Sequence, residues 1–297
     1  MQFRTLGSTG LRVSVVGVGT WQFGGEWGRS YTQDEADAIF DAARDCGINL
    51  IDTAECYGDH LSERFVGKSI ERDRGNWVVA TKFGHHFKEA FERDVVISPE
   101  QVVRQLDDSL RALRTDYIDL YQFHSLDDEA FQTNGLWDVL AAEKQKGKIR
   151  HLGVSIGANT NIFQTEQAPK IGAEAIQVVY NRLDRAPEKA VLPACGKHHL
   201  GVLARVPLAS GYLSGKYKPG AKFSADDVRG KWHDEADREK QLREVERIQV
   251  EEVPEGMDMA AWALAWCLKH PAVTCVIPGC KDAAQERANA AASDLKI

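Results

Sequence analysis

Eight short runs of aliphatic, β-branched and aromatic residues recur along the chain, at Val13 to Val18, Asn49 to Ile51, Trp77 to Thr81, Tyr117 to Phe123, Ile149 to Val154, Ala175 to Tyr180, Val202 to Val206 and Val273 to Ile277. Nearly continuous apolarity is the mark of strands covered on both faces, which is the situation of a parallel sheet. Helical patterns lie between them. Thr32, Gln33, Asp34 and Glu35 form a capping-box sequence ahead of Ala36, Ile39, Phe40 and Ala43, and Gly47 supplies a stop. Ser98, Pro99, Glu100 and Gln101 open a second helix with an apolar face of Val103, Leu106, Leu110 and Leu113, and a third runs from Leu136 to Lys146 before Gly147. Strands alternating with helices predict right-handed crossovers and a parallel sheet. Eight such units close into a barrel, whereas an open doubly wound sheet would carry a GxGxxG turn after its first strand, and none is present.

The predicted architecture is therefore α/β, a (β/α)8 TIM barrel. Phe3 to Leu6 and Leu11 to Val13 flank Gly7, Ser8, Thr9 and Gly10, the pattern of a β-hairpin placed to plug one end of the barrel. The length of 297 residues suits one barrel, and no low-complexity linker divides it, so residues 1–297 are read as a single domain. Tyr217 to Val250 is long and heavily charged. It reads as an excursion between strand seven and its helix, solvated on one face, or as a lid over the mouth of the barrel.

A formal net charge of -7 argues against broad binding to nucleic acid or to anionic membrane, so any anion site must be built from a few local cations. Met1 to Gly10 has neither the basic start nor the apolar run of a signal peptide, and no apolar stretch approaches a membrane span. A cytoplasmic location is expected. Cys46, Cys56, Cys195, Cys267, Cys275 and Cys280 have no zinc-knuckle or CxxC spacing and read as reduced.

In such barrels the chemistry stands at the C-terminal ends of the strands. Strand two delivers Asp52, with Tyr57 in the loop after it; strand three delivers Lys82; strand four delivers His124. Singly, each has an ordinary structural explanation as a helix cap or a satisfied core residue. Together they are costly, because buried ions must pair, and structure alone has little reason to gather them. The set suits protonation of a developing alkoxide. Lys82 is expected to lower the pKa of Tyr57 from its reference near 10, Asp52 to hold Lys82 charged, and His124 to donate to a carbonyl oxygen.

Longer motifs surround these residues: IDTAECYG (Ile51 to Gly58), ATKFG (Ala80 to Gly84), DYIDLYQFH (Asp116 to His124), GKIRHLGVS (Gly147 to Ser155), IQVVYN (Ile176 to Asn181), PLASGYLSGKY (Pro207 to Tyr217) and VIPG (Val276 to Gly279). Across nearly the whole chain they resemble the aldo-keto reductases, as a bacterial-type, short-loop member. The resemblance implies a catalytic tetrad of Asp52, Tyr57, Lys82 and His124. It implies NADPH/NADP+ as cofactor, with Thr20 and Trp21 near nicotinamide, Ser155 and Gln177 on the carboxamide, and Pro207 to Lys216 around the pyrophosphate, including Leu208, Ser210, Leu213 and Gly215. Pro278, Gly279, Lys281, Gln285 and Asn289 are implied at the adenosine end, Lys281 at the 2′-phosphate. The plain alternative for Lys281 is a solvated lysine beside a helix cap.

Two positions depart from the family pattern. Ile156 replaces the asparagine that often follows the serine of the GVS motif, and Arg205 and Val206 stand where an aromatic residue commonly stacks on nicotinamide. A guanidinium plane can also stack. Trp21 and Trp27 are candidate substrate-pocket residues, suited to aldehydes, ketones or sugars alike. His85 and His86 read as solvent-facing loop residues, and no metal is expected. The function implied is reduction of a small-molecule aldehyde or ketone to an alcohol by a monomer or small homo-oligomer. A redox-sensing regulatory subunit that binds the same cofactor is the alternative, and a metal-dependent hydrolase on the same barrel lacks the ligand spacing.

Overall fold

The computed structural model describes residues 1–232 and 234–297. In chain order its strands are β1 (Phe3–Thr5), β2 (Arg12–Ser14), β3 (Val18–Gly19), β4 (Leu50–Asp52), β5 (Val78–Phe83), β6 (His85–Glu89), β7 (Glu92–Val95), β8 (Ile118–His124), β9 (Ile149–Ser155), β10 (Ala173–Val179), β11 (Gly201–Arg205) and β12 (Cys275–Val276). Among the described residues, eight of them form one sheet in the order β12, β11, β10, β9, β8, β5, β4, β3, with parallel pairing throughout. Its two edges meet through parallel bridges Val16↔Val276 and Gly19↔Gly279, so the sheet curls onto itself as a (β/α)8 barrel. A Cβ on Gly19 would lie 2.6 Å from the carbonyl oxygen of Ile277, so glycine is what lets this seam close.

Strands β5 and β8 are buried along nearly their whole length, as the unbroken apolar runs require. One face packs against the surrounding helices, as with Phe40 of the helix Gln33–Asp45 and Leu106 of the helix Pro99–Ala112. Both helices start where the sequence places them, at the capping box read for Thr32 with Glu35 and at a second one formed by Ser98 with Gln101. The other face fills the barrel with Leu50, Val78, Ala80, Leu120, Ala175, Leu203 and Cys275. Leu6 and Val13 of the β1–β2 hairpin join that inner cluster, both fully buried. The plug sits at the N-terminal ends of the strands: a Cβ on Gly201, the first residue of β11, would lie 2.5 Å from a Leu6 methyl. The C-terminal mouth is thereby left as the open end.

Three sequence expectations need correction. The run Val13 to Val18 is not one strand, because Val13 pairs with Arg4 in the hairpin and the barrel strand begins only at Val18. The eighth strand is confined to Cys275–Val276. An additional hairpin, β6–β7, follows β5 and carries His85 and His86. The charged stretch after β11 does form an excursion before the helix Met259–Leu268, and it includes the helix Glu235–Glu251, whose charged side faces solvent. Residue 233, within it, lies outside the described residues. Among the described residues no helix is long and apolar enough to cross a membrane.

Leu6→Ala should destabilise the protein by about 2–5 kcal/mol, the range for emptying a fully packed leucine site. Phe3→Ala, at a position 40% exposed in the same hairpin, should cost less than about 1 kcal/mol. Urea unfolding of both variants checks this, and equal losses would mean that the hairpin is not seated in the barrel.

Candidate active site

Asp52 is the last residue of β4, Lys82 the penultimate residue of β5 and His124 the last of β8, while Tyr57 follows β4 in a turn. Parallel neighbours in register bring these strand ends together: Asp52 pairs with Ala80, and Lys82 with Gln122. The Lys82 ammonium is fully buried and donates to Asp52 Oδ1 at 2.7 Å, to the Thr53 carbonyl at 2.7 Å and to the Tyr57 hydroxyl at 3.3 Å. The rings of Tyr57 and His124 meet edge to face, 6.0 Å apart. All four residues proposed from sequence therefore converge on one point at the mouth.

Burial would depress the Lys82 pKa, but Asp52 and Tyr57 outweigh it and hold the ammonium charged well above the usual lysine range. Tyr57 departs from expectation. Burial of its hydroxyl pushes the pKa up to about 12, and Lys82, pulling the other way, offsets only part of that. His124 is kept neutral, well below the ordinary histidine range, first by burial and then by the charges of Lys82, His85, Arg93 and Arg205. The second carboxylate oxygen of Asp52 accepts from Gln177 at 2.6 Å and from Gln122 at 3.2 Å. Gln122 was not singled out by sequence, where it is one polar residue inside an apolar strand.

Aromatic and charged groups rim this centre. Trp21 stacks on Tyr57 at 6.2 Å and meets Trp27 edge to face at 5.2 Å, so Trp21 stands beside the phenol and Trp27 behind Trp21. Glu26, fully buried, accepts from Trp21 Nε1 and Arg93 Nη2, each at 2.6 Å, and from the Phe91 amide at 2.8 Å. The charged excursion reaches this rim: Trp27 bridges Asp227, and the Val228 amide donates to the Glu26 carbonyl at 3.0 Å. His85 is not a solvent-facing loop residue. It is half-buried on β6, with Nε2 2.9 Å from the His124 carbonyl, whereas His86 is exposed. Glu55 and Cys56, unremarked as site residues in the sequence, lie buried behind His124.

The residues expected around a dinucleotide divide into polar groups at the centre and a loop beside it. Thr20 donates its hydroxyl to the Asp52 carbonyl at 2.9 Å, and Ser155 contacts Gln177 at 3.4 Å, so both belong to the Asp52 network. Val206, Ala209, Ser210, Gly211 and Gly215 all have positive φ, at 54°, 48°, 56°, 90° and 72°. These left-handed turns bring a small-residue backbone to the surface of the loop, while the amides of Ala209, Gly211, Leu213 and Gly215 donate to carbonyls within the loop itself. Pro207, Leu208 and Leu213 are buried, and Lys216 is exposed. Arg205 is turned toward Tyr57 and Asp52, burial lowers its pKa, its Nη2 donates to the Ile156 carbonyl at 3.2 Å, and its Nε is buried without a partner.

At the other end of the loop cluster Pro278 is buried and Gly279 and Lys281 are exposed. Gln285 accepts from the Lys281 amide at 2.8 Å, and the Lys281 ammonium lies 3.6 Å from Asp282. The Arg29 guanidinium donates to the Lys281 carbonyl at 3.2 Å, a second cation that sequence reasoning missed because 252 residues separate the two. Asn289 is buried, with its side-chain amide against the buried Glu286 carboxyl.

Fold and site together define an oxidoreductase of the barrel class. The sequence model of the Aldo/keto reductase family matches residues 15–297. Aldo-keto reductase YhdN of Bacillus subtilis is 31% identical over 96% of this chain and 86% of its own length. The NADH-specific methylglyoxal reductase of Escherichia coli is 33% identical over 98% of this chain and 93% of its own. Among solved structures, the holo form of aldo-keto reductase AKR11C1 from Bacillus halodurans superposes with a TM-score of 0.82 at 31% identity, covering 100% of this chain and 92% of that one. The chain belongs to the aldo/keto reductase family.

Lys82→Met should cost about 3–5 kcal/mol by stranding a buried carboxylate. Adding Asp52→Asn to it should restore at least about half of that loss. Chemical denaturation of the single and double variants checks this, and a double variant no more stable than the single one would mean that the pair is not the electrostatic unit.

Proposed function

We propose that the protein reduces an aldehyde or ketone to an alcohol with NADPH, as a bacterial-type, short-loop member of its family. The observation that carries this reading is the buried Lys82 ammonium placed between Asp52 and the Tyr57 hydroxyl. Ser155 and Gln177 would hold the carboxamide, the left-handed loop the pyrophosphate, and Lys281, Gln285 and Asn289 the adenosine end. NADPH, when bound, supplies a hydride to the carbonyl carbon.

The residues of the chain supply the rest. A carbonyl oxygen beside Tyr57 and His124 accepts a hydrogen bond from each, and Trp21 and Trp27 wall the approach. As charge grows on that oxygen, Tyr57 gives up its proton. With its pKa near 12 the phenol stays protonated at neutral pH, yet it is a far stronger acid than the alcohol being formed, so transfer runs downhill once the oxyanion develops. Lys82 then faces the new phenolate at hydrogen-bond distance, and this charge-assisted contact is stronger in the transition state than before it. Asp52, fixed by Gln122 and Gln177, keeps the ammonium from turning away.

Tyr57→Phe should lower kcat by about 10²–10⁴-fold, the range for a general acid. NADPH affinity, read by quenching of protein fluorescence, should stay within about threefold. Retained turnover would remove Tyr57 from the chemistry. Negligible turnover by the unaltered protein across a panel of aldehydes, with tight cofactor binding, would favour a redox-sensing subunit instead.

Lys281→Ala should weaken NADPH by about tenfold and NADH by less than about twofold, because only the former carries the 2′-phosphate that an ammonium would meet. Equal losses for the two cofactors would place that phosphate elsewhere, with Arg29, which donates to the Lys281 carbonyl, as the next candidate.

A further inference from the structure

His124 has two ring nitrogens, and only an N–H can donate to a carbonyl oxygen. Its Nδ1 is turned inward, 3.7 Å from Cys56 Sγ and 4.0 Å from Glu55 Oε2, which leaves Nε2 for the mouth. The inward-facing carboxyl is constrained. Glu55 Oε1 accepts from the His85 amide at 3.1 Å, while Oε2 is buried with no hydrogen-bond partner. Any proton on this carboxyl therefore sits on Oε2, the oxygen that faces the imidazole.

We propose that Glu55, held as the neutral acid and aided by the Cys56 thiol, is a positioning residue that presents hydrogen to Nδ1 of His124 and so fixes the imidazole as the Nε2–H tautomer. The inference rests on the reading of His124 as the donor to the carbonyl oxygen. Glu55 keeps its proton because burial, and then the carboxylate of Glu63, lift its pKa to about 8, against the smaller opposing effects of the His85 amide and His60. Burial likewise pushes the Cys56 thiol up, so it stays S–H despite Arg93 and Lys82 nearby. The cations that face His124 are Lys82 on β5, Arg93 on β7 and Arg205 on β11, with His85 on β6; all oppose its protonation. A neutral ring carries one N–H, and an Nδ1 that accepts from its neighbours leaves that hydrogen on Nε2.

The sign of the pH effect follows. Above its pKa Glu55 loses its proton to solvent and becomes an anion beside Nδ1. The ring's single hydrogen then moves to Nδ1, toward the carboxylate. Nε2 is left with a lone pair pointing at the carbonyl oxygen, and the donor is lost. Tyr57, protonated up to about 12, contributes no loss in this range.

The test compares the holoenzyme with Glu55→Gln and Cys56→Ala. Glu55→Gln keeps an acceptor for the His85 amide and gives Nδ1 an N–H donor that does not titrate. The unaltered enzyme should lose about tenfold in kcat for a neutral aldehyde between pH 7 and pH 9, as one group near 8 ionises. Glu55→Gln should lose less than about twofold over that interval, and Cys56→Ala should keep the full tenfold fall. Long-range ¹⁵N NMR of histidine-labelled protein, with the His124 signals assigned by a His124→Asn variant, should report Nε2–H at pH 7 and Nδ1–H above pH 9, and Nε2–H at both in Glu55→Gln. An identical alkaline fall in Glu55→Gln, or Nδ1–H at pH 7, would overturn the proposal, as would stoichiometric zinc on Nδ1. The NMR titration reads the tautomer whether or not carbonyls are turned over, so failure of the enzymatic reading and failure of this one are separable.

Discussion

The contact on which the site depends is a buried ion pair, Lys82 with Asp52 at 2.7 Å. Neither partner is tolerable there alone, since an unpaired ion in that interior costs several kcal/mol. The barrel supplies what makes the pair affordable: the Thr53 carbonyl on the ammonium, and the amides of Gln122 and Gln177 on the carboxylate. Those donors come from β8, which lies beside β5, and from β10, further round the barrel, so satisfying the pair requires the curled sheet. The ammonium that results is charged, immobile and 3.3 Å from a phenol.

The balance of burial against charge decides what each group at the mouth does. A simple expectation, that a neighbouring ammonium must make Tyr57 more acidic than free tyrosine, fails because the hydroxyl is also taken out of water, and desolvation is the larger effect. The outcome still suits the chemistry. In the proposed reduction, a phenol that remains protonated would be a ready donor, and the ammonium would contribute most when negative charge appears. Burial first, and then the same cations that would stabilise a phenolate, keep His124 neutral.

Much of the barrel was legible in sequence because its signals are local. Parallel strands read as unbroken apolar runs, and Thr32 and Ser98 announce their helices within four residues. The placement of Asp52, Lys82 and His124 was legible for a related reason: each ends an apolar run, and strand ends in a barrel share one rim. What failed was non-local. Val13 has the same apolar character as Val18, and only its pairing with Arg4 assigns it to the plug. Glu55 and Gln122 carry no periodic signal, since their meaning lies in what faces them across the barrel. His85 was misjudged because a polar stretch reads as a loop until β7 returns to pair with it.

Glu26 illustrates how such non-local contacts build the rim. It lies in a glycine-rich segment that reads as an ordinary turn, yet it is fully buried and accepts from Trp21, from Arg93 and from the Phe91 amide. Its own carbonyl accepts from Val228. Four stretches of chain, around residues 21, 26, 92 and 228, are thereby joined at one carboxylate and its backbone. A buried carboxylate needs donors on both oxygens, and here that need is met only when the β6–β7 hairpin closes on Trp21, while the charged excursion holds the Glu26 backbone. The geometry of the aromatic wall beside Tyr57 is therefore set by one ion pair, Glu26 with Arg93, and by hydrogen bonds from distant parts of the sequence. A charged excursion that looks solvated in sequence thus has, at residues 226–228, a fixed place at the mouth.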